Sequence, residues 1–305
     1  MIQLNITDET SPLQSVVLGI GQSLGTTPLI HEAYDPKSRH HIKKGTYPVE
    51  EEVSREMEAF ASVLEKYDVE VHRPKMISRL NQVFARDIGF TIEDRFIIPE
   101  ILPDRQPEIE GIEHITDQID NRKLLKAPKG VRIEGGDVMQ WTDKIFIGYS
   151  KKEDFEKYIV ARTNESGVDF LNDNFKDWEV YPFELNKSDQ QPVGNALHLD
   201  CCFQPIGKNQ AIVCPEGFKN KEDYETIVSL FEEENLIKIS ADEMYQMNSN
   251  IFSINEEVIV SEKHFTRLNT ELRDKGFTVE EVPYAETSKM GGLFRCSTLP
   301  LRRTN

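Results

Sequence analysis

Residues 136–150 read GDVMQWTDKIFIGYS, and the order of residue types in this stretch recurs elsewhere in the chain. A polar residue is followed by an apolar stretch, a polar turn and a second apolar stretch, which is typical of a strand–turn–strand hairpin. Three further segments share the order, at residues 86–100, 199–216 and 249–262. Their polar heads stand at positions 87, 137, 200 and 250, with spacings of 50, 63 and 50 residues. The chain therefore contains a repeated unit.

A helix and a further strand follow most of these hairpins. Residues 221–231 carry an apolar stripe of helical period, for example, and the strand-like residues 236–239 come next. Such a strand–strand–helix–strand unit predicts a closed, propeller-like array. The segments at 15–19 and 297–301 complete a fifth unit if they pair, which would also hide the sheet edges. We therefore predict an α/β fold, a pseudo-symmetric five-bladed propeller of ββαβ units, as one domain over residues 1–305.

Side chains that can act as acids, bases or nucleophiles stand at the polar heads of the units or next to them. These residues are Asp87, Glu134, Asp137, His198, Asp200 and Cys296. Taken singly, each has a structural explanation, because Gly-Gly-Asp is commonly a turn and an isolated cysteine is commonly a small buried hydrophobe. A closed array would bring the heads together near its axis. Together they offer a thiol, an imidazole and carboxylates, which predicts covalent attack on a cationic carbon.

Composition narrows the range of functions. The net charge is −17 and the chain has no run of lysine and arginine, so a nucleic-acid surface is not expected. The acidity suits a small cationic substrate, although it is also typical of soluble proteins in general. No apolar run is long enough for a membrane span and no signal peptide is visible. The four cysteines form neither a disulfide framework nor zinc-type CxxC pairs, so we expect a cytoplasmic protein without a metal.

Two features stay open at this level. Residues 100–130 contain three prolines and many charges and interrupt the repeat, so they form a long excursion, either a lid or a surface loop without a catalytic role. The sequence also allows a homo-oligomer without predicting one.

Four short motifs resemble those of the guanidino-group modifying superfamily, which includes arginine deiminase, dimethylarginine dimethylaminohydrolase and the amidinotransferases. They are Phe-Ala-Arg-Asp at 84–87, Glu-Gly-Gly-Asp at 134–137, His-Leu-Asp at 198–200 and Gly-Gly-Leu-Phe-Arg-Cys at 291–296. The resemblance implies a five-bladed, pentein-like propeller, in agreement with the repeats. It also implies that Cys296 is the nucleophile, that His198 and Glu134 take part in catalysis, and that Asp87 and Asp200 bind the guanidinium with Glu134.

The implied chemistry needs no cofactor. Cys296 attacks the guanidinium carbon, His198 protonates the departing nitrogen, and a covalent thiouronium intermediate is then hydrolysed. Three arginines are candidates for gripping a substrate carboxylate, although each could equally hold an acid in place: Arg86, Arg132 and Arg295.

The leading prediction is a hydrolase that acts on arginine or a modified arginine. The alternative is an amidinotransferase, because the chain continues after Cys296 as Ser-Thr-Leu-Pro-Leu-Arg-Arg, an ending similar to that of amidinotransferases. The chain is too short for the helical insertion of typical arginine deiminases, so the enclosure of the substrate is expected to differ from theirs. A non-catalytic binding protein on the same fold is a third reading, since fold alone does not define function. The group attached to the guanidinium stays open.

Overall fold

The computed structural model describes residues 1–33 and 35–304 of the chain. Within these residues the strands form five three-stranded sheets. The strands are β1 Leu13–Leu18, β2 Glu70–His72, β3 Phe90–Ile92, β4 Arg95–Ile98, β5 Leu124–Lys126, β6 Val138–Trp141, β7 Lys144–Tyr149, β8 Glu179–Glu184, β9 Phe203–Ile206, β10 Gln210–Val213, β11 Leu236–Lys238, β12 Phe252–Ser253, β13 Val258–Glu262, β14 Thr278–Val282 and β15 Thr298–Arg303.

Helices lie in the connections between these strands. The α-helices are α1 Pro36–Lys44, α2 Glu50–Lys66, α3 Glu113–Thr116, α4 Lys152–Lys157, α5 Glu165–Asn174, α6 Lys221–Phe231, α7 Ala241–Tyr245, α8 Thr266–Asp274 and α9 Ala285–Ser288. Among the residues that the structure describes, no helix is long and apolar enough to cross a membrane.

All five sheets have the same internal order. A central strand pairs antiparallel with one neighbour and parallel with the other, as β7 does with β6 and β8. The antiparallel neighbours β6 and β7 are joined by a tight turn, in which Thr142 has a left-handed φ of 56°. The parallel neighbour follows a helical crossover, since two parallel strands cannot be joined by a tight turn. The predicted strand–strand–helix–strand unit is therefore present in each sheet.

The fifth sheet joins the two ends of the described chain. β1 pairs antiparallel with β15 and parallel with β2, and the crossover to β2 contains α1 and α2. The predicted pairing of the N-terminal and C-terminal segments is thus confirmed. This pairing fixes the position of Cys296, because β15 begins at Thr298, two residues further on.

The core lies between the helices and the sheets. Helix α2 shows how the sequence builds it, because its apolar residues recur at helical spacing and are completely buried: Val53, Met57, Phe60 and Leu64.

Short 3-10 turns precede the first strand of three sheets. They span Ala85–Ile88, Gly135–Asp137 and Leu199–Cys201, and the Gly135–Asp137 turn contacts each of the other two. Each contains one of the polar heads of the repeat, so the turns bring side chains from distant parts of the chain into one place.

Candidate active site

Three of the predicted site residues line one cavity. Asp87, His198 and Cys296 all border a space of about 1350 Å³, together with residues of the segment that follows β1 and of the 103–112 segment. Each of the three is nearly buried in its own turn or loop. The thiol, the imidazole and one carboxylate therefore share access to a single space. Glu134 and Asp200, which were predicted to line the same pocket, are not among the residues that border it.

The Cys296 thiol lies beside an acid. Its Sγ is 3.6 Å from Asp200 Oδ2, and the residue is only 3% exposed. Burial raises the pKa of this thiol well above its ordinary value, and the negative charges of Asp200 and Asp87 raise it further. Without a cation nearby, Cys296 is therefore a neutral thiol near pH 7, and a cationic ligand would favour its deprotonation.

His198 is held between two acids. Its Nε2 lies 2.9 Å from Glu134 Oε2, and its Nδ1 lies 3.7 Å from Asp87 Oδ1. Burial lowers the pKa of His198, but the charges of Asp87, Asp137 and Glu134, with the Glu134 hydrogen bond, raise it to about 9. At neutral pH His198 is thus an imidazolium, the form that can protonate a leaving nitrogen.

His198 packs against the backbone of the Glu-Gly-Gly-Asp motif. A Cβ at Gly136 would lie 2.7 Å from the Cγ and Nδ1 of His198 and 3.0 Å from Asp87 Oδ1. Such distances are far below van der Waals contact, so only glycine lets the ring lie where it does. The close approach of backbone and ring accounts for this glycine.

Asp87 is paired with an arginine of the chain itself. Arg105 Nη1 lies 2.6 Å from Asp87 Oδ2, while Arg105 Nε and Nη2 donate to the two oxygens of Glu108. Burial favours the neutral guanidine, but Glu108 and Asp87 outweigh it and raise the pKa of Arg105 well above its ordinary value. Asp87 therefore already holds one guanidinium at the edge of the cavity.

Glu134 is balanced by a second arginine. Arg162 Nη1 lies 3.3 Å from Glu134 Oε2, and the backbone N–H of Leu102 donates to Oε1 at 3.2 Å. Burial raises the pKa of Glu134, but the Arg162 charge and the His198 hydrogen bond and charge hold it well below its usual range. Glu134 is ionised, and it lies behind His198 rather than on the cavity wall.

Asp200 is balanced by a third arginine. Arg295 Nη1 lies 3.0 Å from Asp200 Oδ2, and Arg295 Nη2 lies 3.0 Å from Glu9 Oε1. Burial raises the pKa of Glu9, but the charges of Arg295 and Arg86 lower it to about 2. Arg295 is completely buried, so this acid–arginine–acid group supports Cys296 from behind.

The same geometry bears on metal binding. Ligand atoms of Asp87, Glu134 and His198 lie within 4.8 Å of one another, close enough to chelate an ion. However, Arg105 and Arg162 already neutralise the two carboxylates, and a metal ligand must be a neutral imidazole rather than an imidazolium. The three residues are better described as an ion-pair network.

Comparison with known proteins places this arrangement in a family. Residues 31–303 match the family described as N,N dimethylarginine dimethylhydrolase, eukaryotic. The chain belongs to this family. The resemblance to the guanidino-group modifying superfamily that the motifs predicted is thereby confirmed.

Individual proteins of known sequence or structure resemble this chain at low sequence identity. The chain is 29% identical over 225 residues to the uncharacterized protein YkgA of Bacillus subtilis, covering 73% of this chain and 70% of that protein. Inosamine-phosphate amidinotransferase of Streptomyces griseus has a TM-score of 0.76 at 16% identity, covering 100% of this chain and 98% of the other. The N-terminal domain of a cyanobacterial arginine dihydrolase has a TM-score of 0.78 at 18% identity, covering 95% and 97%. At these identities the structures show a shared α/β fold.

The three arginines proposed to grip a substrate carboxylate lie elsewhere. Arg86 donates to Arg295 O and to the Thr298 hydroxyl, and Arg295 holds its two acids. Arg132 is partly exposed and is not among the residues that border the cavity. In Arg86 and Arg295 the structure favours the other reading, in which the arginine holds neighbouring groups in place.

Arg105 and Arg162 border the cavity instead, and the motifs did not indicate them. Both lie between the second and third strands of their sheets, Arg105 between β4 and β5 and Arg162 between β7 and β8. The sequence signal that could have indicated them is this shared position in the repeat, between the second and third strands of a unit. Because Arg105 belongs to the 100–130 excursion, that segment contributes a side chain to the site.

Proposed function

We propose that this protein is a cysteine-dependent hydrolase that acts on the guanidinium carbon of arginine or a modified arginine. The observation that supports the proposal most directly is that Cys296, His198 and Asp87 border one cavity while Glu134 holds His198 as an imidazolium. The described site thus offers a nucleophile, an acid and an anionic contact for a guanidinium. The name of the family, N,N dimethylarginine dimethylhydrolase, is consistent with this class of reaction.

The proposed reaction begins when the substrate guanidinium lies against Asp87. Its positive charge offsets the acids that raise the Cys296 pKa, so the thiol releases its proton to solvent. The thiolate forms a bond to the guanidinium carbon, and His198 gives its proton to the departing nitrogen, which leaves as ammonia or an alkylamine. An S-alkylthiouronium on Cys296 remains.

Hydrolysis of this intermediate completes the cycle. His198, now neutral, takes a proton from water, and the resulting hydroxide attacks the thiouronium carbon. The bond to Sγ breaks, the hydroxyl proton passes to the leaving sulfur, and the ureido product is released with Cys296 again a neutral thiol. His198 is again an imidazolium, held by Glu134 and facing Asp87.

Arg162 borders the cavity and provides a positive charge for the part of the substrate beyond its guanidinium. Two of its bonds are directed to Ile159 O and to Glu134, and a guanidinium carries five N–H donors. We propose that Arg162, with Arg105, binds the carboxylate of an amino-acid substrate in place of the three arginines expected from the motifs. Agmatine, which has no carboxylate, should then be a poorer substrate than arginine.

Amidino transfer is the second candidate, and the size of the cavity favours it. A volume of about 1350 Å³ exceeds the range of roughly 300 to 1000 Å³ that is usual for small-molecule sites. An acceptor amine could therefore enter while the thiouronium is present. Nucleophilic attack by that amine, in place of water, would give a new guanidino compound.

We also propose that the five sheets are the blades of one closed propeller formed by residues 1–305 as a single domain. The pairing of β1 with β15 and the contacts of the Gly135–Asp137 turn with the turns at Ala85–Ile88 and Leu199–Cys201 support it. A single cooperative unfolding transition, seen equally by fluorescence and circular dichroism, is the expected behaviour.

The function is tested with purified protein and a panel of arginine, monomethylarginine, dimethylarginine, agmatine and citrulline. Ammonia, alkylamines and ureido products are measured, with and without glycine and other amines as acceptors. Acid quenching during turnover should trap an adduct on Cys296 that mass spectrometry locates. Ornithine formed only with an acceptor amine would establish transfer, and an adduct on Cys201, Cys202 or Cys214 would overturn the proposed nucleophile.

A further inference from the structure

Asn250 is a buried polar residue beside the nucleophile that the reaction described above does not use. It stands between α7 and β12, at the polar head of the fourth repeated segment, and it has no exposed surface. Its backbone carbonyl accepts a hydrogen bond from Arg295 N at 3.3 Å. Because burying an amide is costly unless its hydrogen bonds are made, the partners of this side chain are informative.

The oxygen of the Asn250 amide holds the nucleophile's loop. Oδ1 accepts from the backbone N–H of Leu293 at 3.0 Å and from that of Cys296 at 3.1 Å. Both donors belong to the last turn before β15, so one oxygen fixes the backbone on each side of the turn. The position of the Cys296 backbone therefore depends on this acceptor.

The nitrogen of the same amide faces the nucleophile itself. Nδ2 donates to Cys296 Sγ at 3.2 Å and to Asp200 O at 3.4 Å. The opposite orientation of the amide would place its N–H groups against two N–H donors and its oxygen against a carbonyl oxygen. The hydrogen-bond network thus fixes which end of the amide points at sulfur.

The charges around Cys296 Sγ disfavour the thiolate, so a hydrogen-bond donor to the sulfur has a stabilising effect. The charges of Asp200 and Asp87 disfavour a thiolate, and Lys37 is a cation that interacts with Cys296. An N–H directed at sulfur binds an anion more strongly than a neutral thiol, so it shifts the balance toward the thiolate.

We propose that Asn250 is a catalytic residue that holds Cys296 in place and donates a hydrogen bond to its thiolate. This role rests on the proposed function, in which Cys296 is the nucleophile. It assigns the two ends of one side chain to two tasks, ordering of the loop and stabilisation of the sulfur anion.

The two tasks can be separated by substitution. Asn250→Asp keeps an oxygen for the Leu293 and Cys296 N–H groups and keeps the side-chain shape, but it replaces the donor with a negative oxygen. Asn250→Ala removes both ends. Ser249→Ala is the matched control, because Ser249 Oγ donates to the same Asp200 carbonyl at 3.0 Å but is not among the contacts of Sγ.

The measurement is the rate at which iodoacetamide alkylates Cys296 from about pH 6 to about pH 10, with the adduct located by mass spectrometry. Alkylation slows at least about tenfold near neutral pH in both Asn250 variants, and the rate profile moves to higher pH. Ser249→Ala keeps the profile of the unmodified protein. Circular dichroism establishes that each variant is folded.

An unchanged alkylation profile in folded Asn250→Asp would overturn the proposal, as would an equal loss in Ser249→Ala. If the added buried charge prevents Asn250→Asp from folding, folded Asn250→Ala decides in its place, and an unchanged alkylation profile there would overturn the proposal. Because alkylation needs no guanidino compound, the result for Asn250 does not depend on whether a substrate has been found. Failure of the substrate panel with a positive alkylation result would instead count against the proposed function alone.

Discussion

Three acids of the candidate site each have a buried partner of opposite charge within the chain. Asp87 is paired with Arg105, Glu134 with Arg162 and His198, and Asp200 with Arg295. Such pairs cost desolvation energy when they are buried, and losing one partner leaves an unpaired charge. The acids of the site are therefore paired with cations of the chain before any substrate arrives, and the reacting group beside them is the thiol of Cys296.

Replacement of Cys296 by serine should abolish turnover while the fold is retained. A serine hydroxyl is a far weaker nucleophile than a thiolate near neutral pH, so kcat should fall by about a thousandfold or more. Steady-state rates and Tm are the measurements. Cys214→Ser is the control, because Cys214 lies directly after β10 and is absent from the cavity lining; equal loss of activity there would contradict the assignment.

His198 should make stability depend on pH above neutrality. Its pKa is raised from 6.5 to about 9 in the folded chain, so the charged form stabilises the fold. This contribution is fully present below about pH 6.5 and is lost as the pH rises through about 9. The free energy of unfolding in urea, measured from neutral pH upward, should fall in the unmodified protein and remain flatter in His198→Gln.

The comparison for this prediction is His264→Gln. The side chain of His264 is 68% exposed, so this substitution should leave the fall in stability as it is in the unmodified protein. A His198→Gln curve parallel to that of the unmodified protein would show that His198 is not held as an imidazolium.

At the level of elements, the 3-10 turns before β3, β6 and β9 set the geometry of the site. The Gly135–Asp137 turn is the most constrained, because its backbone lies directly against the His198 ring. The acid that ends this turn, Asp137, accepts from the Leu199 backbone N–H at 2.9 Å and thereby ties two turns together. The placement of His198 thus follows from the packing of one turn against the next.

Gly136→Ala should displace His198 and lower activity more than stability. The added Cβ would lie 2.7 Å from the ring, so the ring must move, and a shift of that kind costs roughly a hundredfold in kcat. The overpacking itself should cost about 1 to 3 kcal/mol of unfolding free energy. Rates and urea unfolding are measured on the same preparation.

Gly276→Ala is the control for Gly136→Ala, because it should also lose stability but lies away from the site. Gly276 has a left-handed φ of 94° and no heavy atom within 4 Å of an added Cβ, so alanine there is strained but touches nothing at the site. It should cost about 1 kcal/mol with normal kcat. If Gly136→Ala retained normal rates, the close packing of turn and ring would have no catalytic importance.

The sequence predicted those parts of the site that stand at a repeated place or in a motif. Asp87, His198 and Cys296 were found in this way, as was the pairing of the two terminal strands. Arg105 and Arg162 were missed because each lies in an irregular crossover, where no periodicity marks a residue as buried.

The expected contact of three acids with one guanidinium stays a prediction, but the expected placement of all three around one cavity was wrong for two of them, for the same reason. Of the three, only Asp87 is among the residues that border the cavity, whereas Glu134 and Asp200 face arginines. The pairing of buried cations with buried acids depends on tertiary packing. It therefore cannot be predicted from the spacing of the residues along the chain. Glu9, nearly 300 residues from its partner Arg295, is the extreme case.

For the whole molecule, the site depends on the joining of the two ends of the chain. Glu9 comes before β1, and Arg295 comes just before β15, the strand with which β1 pairs. The ion pair between them lies directly behind Cys296. The same closure that completes the fifth sheet therefore also completes the support of the nucleophile.

Loss of this ion pair should destabilise the whole fold in a pH-dependent way. Glu9→Gln leaves Arg295 with Asp200 as the remaining partner of its two carboxylates, and the loss of one buried ion pair should cost about 3 to 5 kcal/mol at neutral pH. Because the pKa of Glu9 is lowered from 4.5 to about 2, its stabilisation is present above about pH 4.5 and is lost as the pH falls toward 2. Urea unfolding curves of Glu9→Gln and the unmodified protein should therefore converge as the pH is lowered.

Glu51→Gln is the control, since the exposed pair of Glu51 with Arg55 should contribute less than about 1 kcal/mol. Curves that stay parallel down to about pH 3 would mean that Glu9 is not held ionised by Arg295, and that the closure of the chain does not depend on this pair.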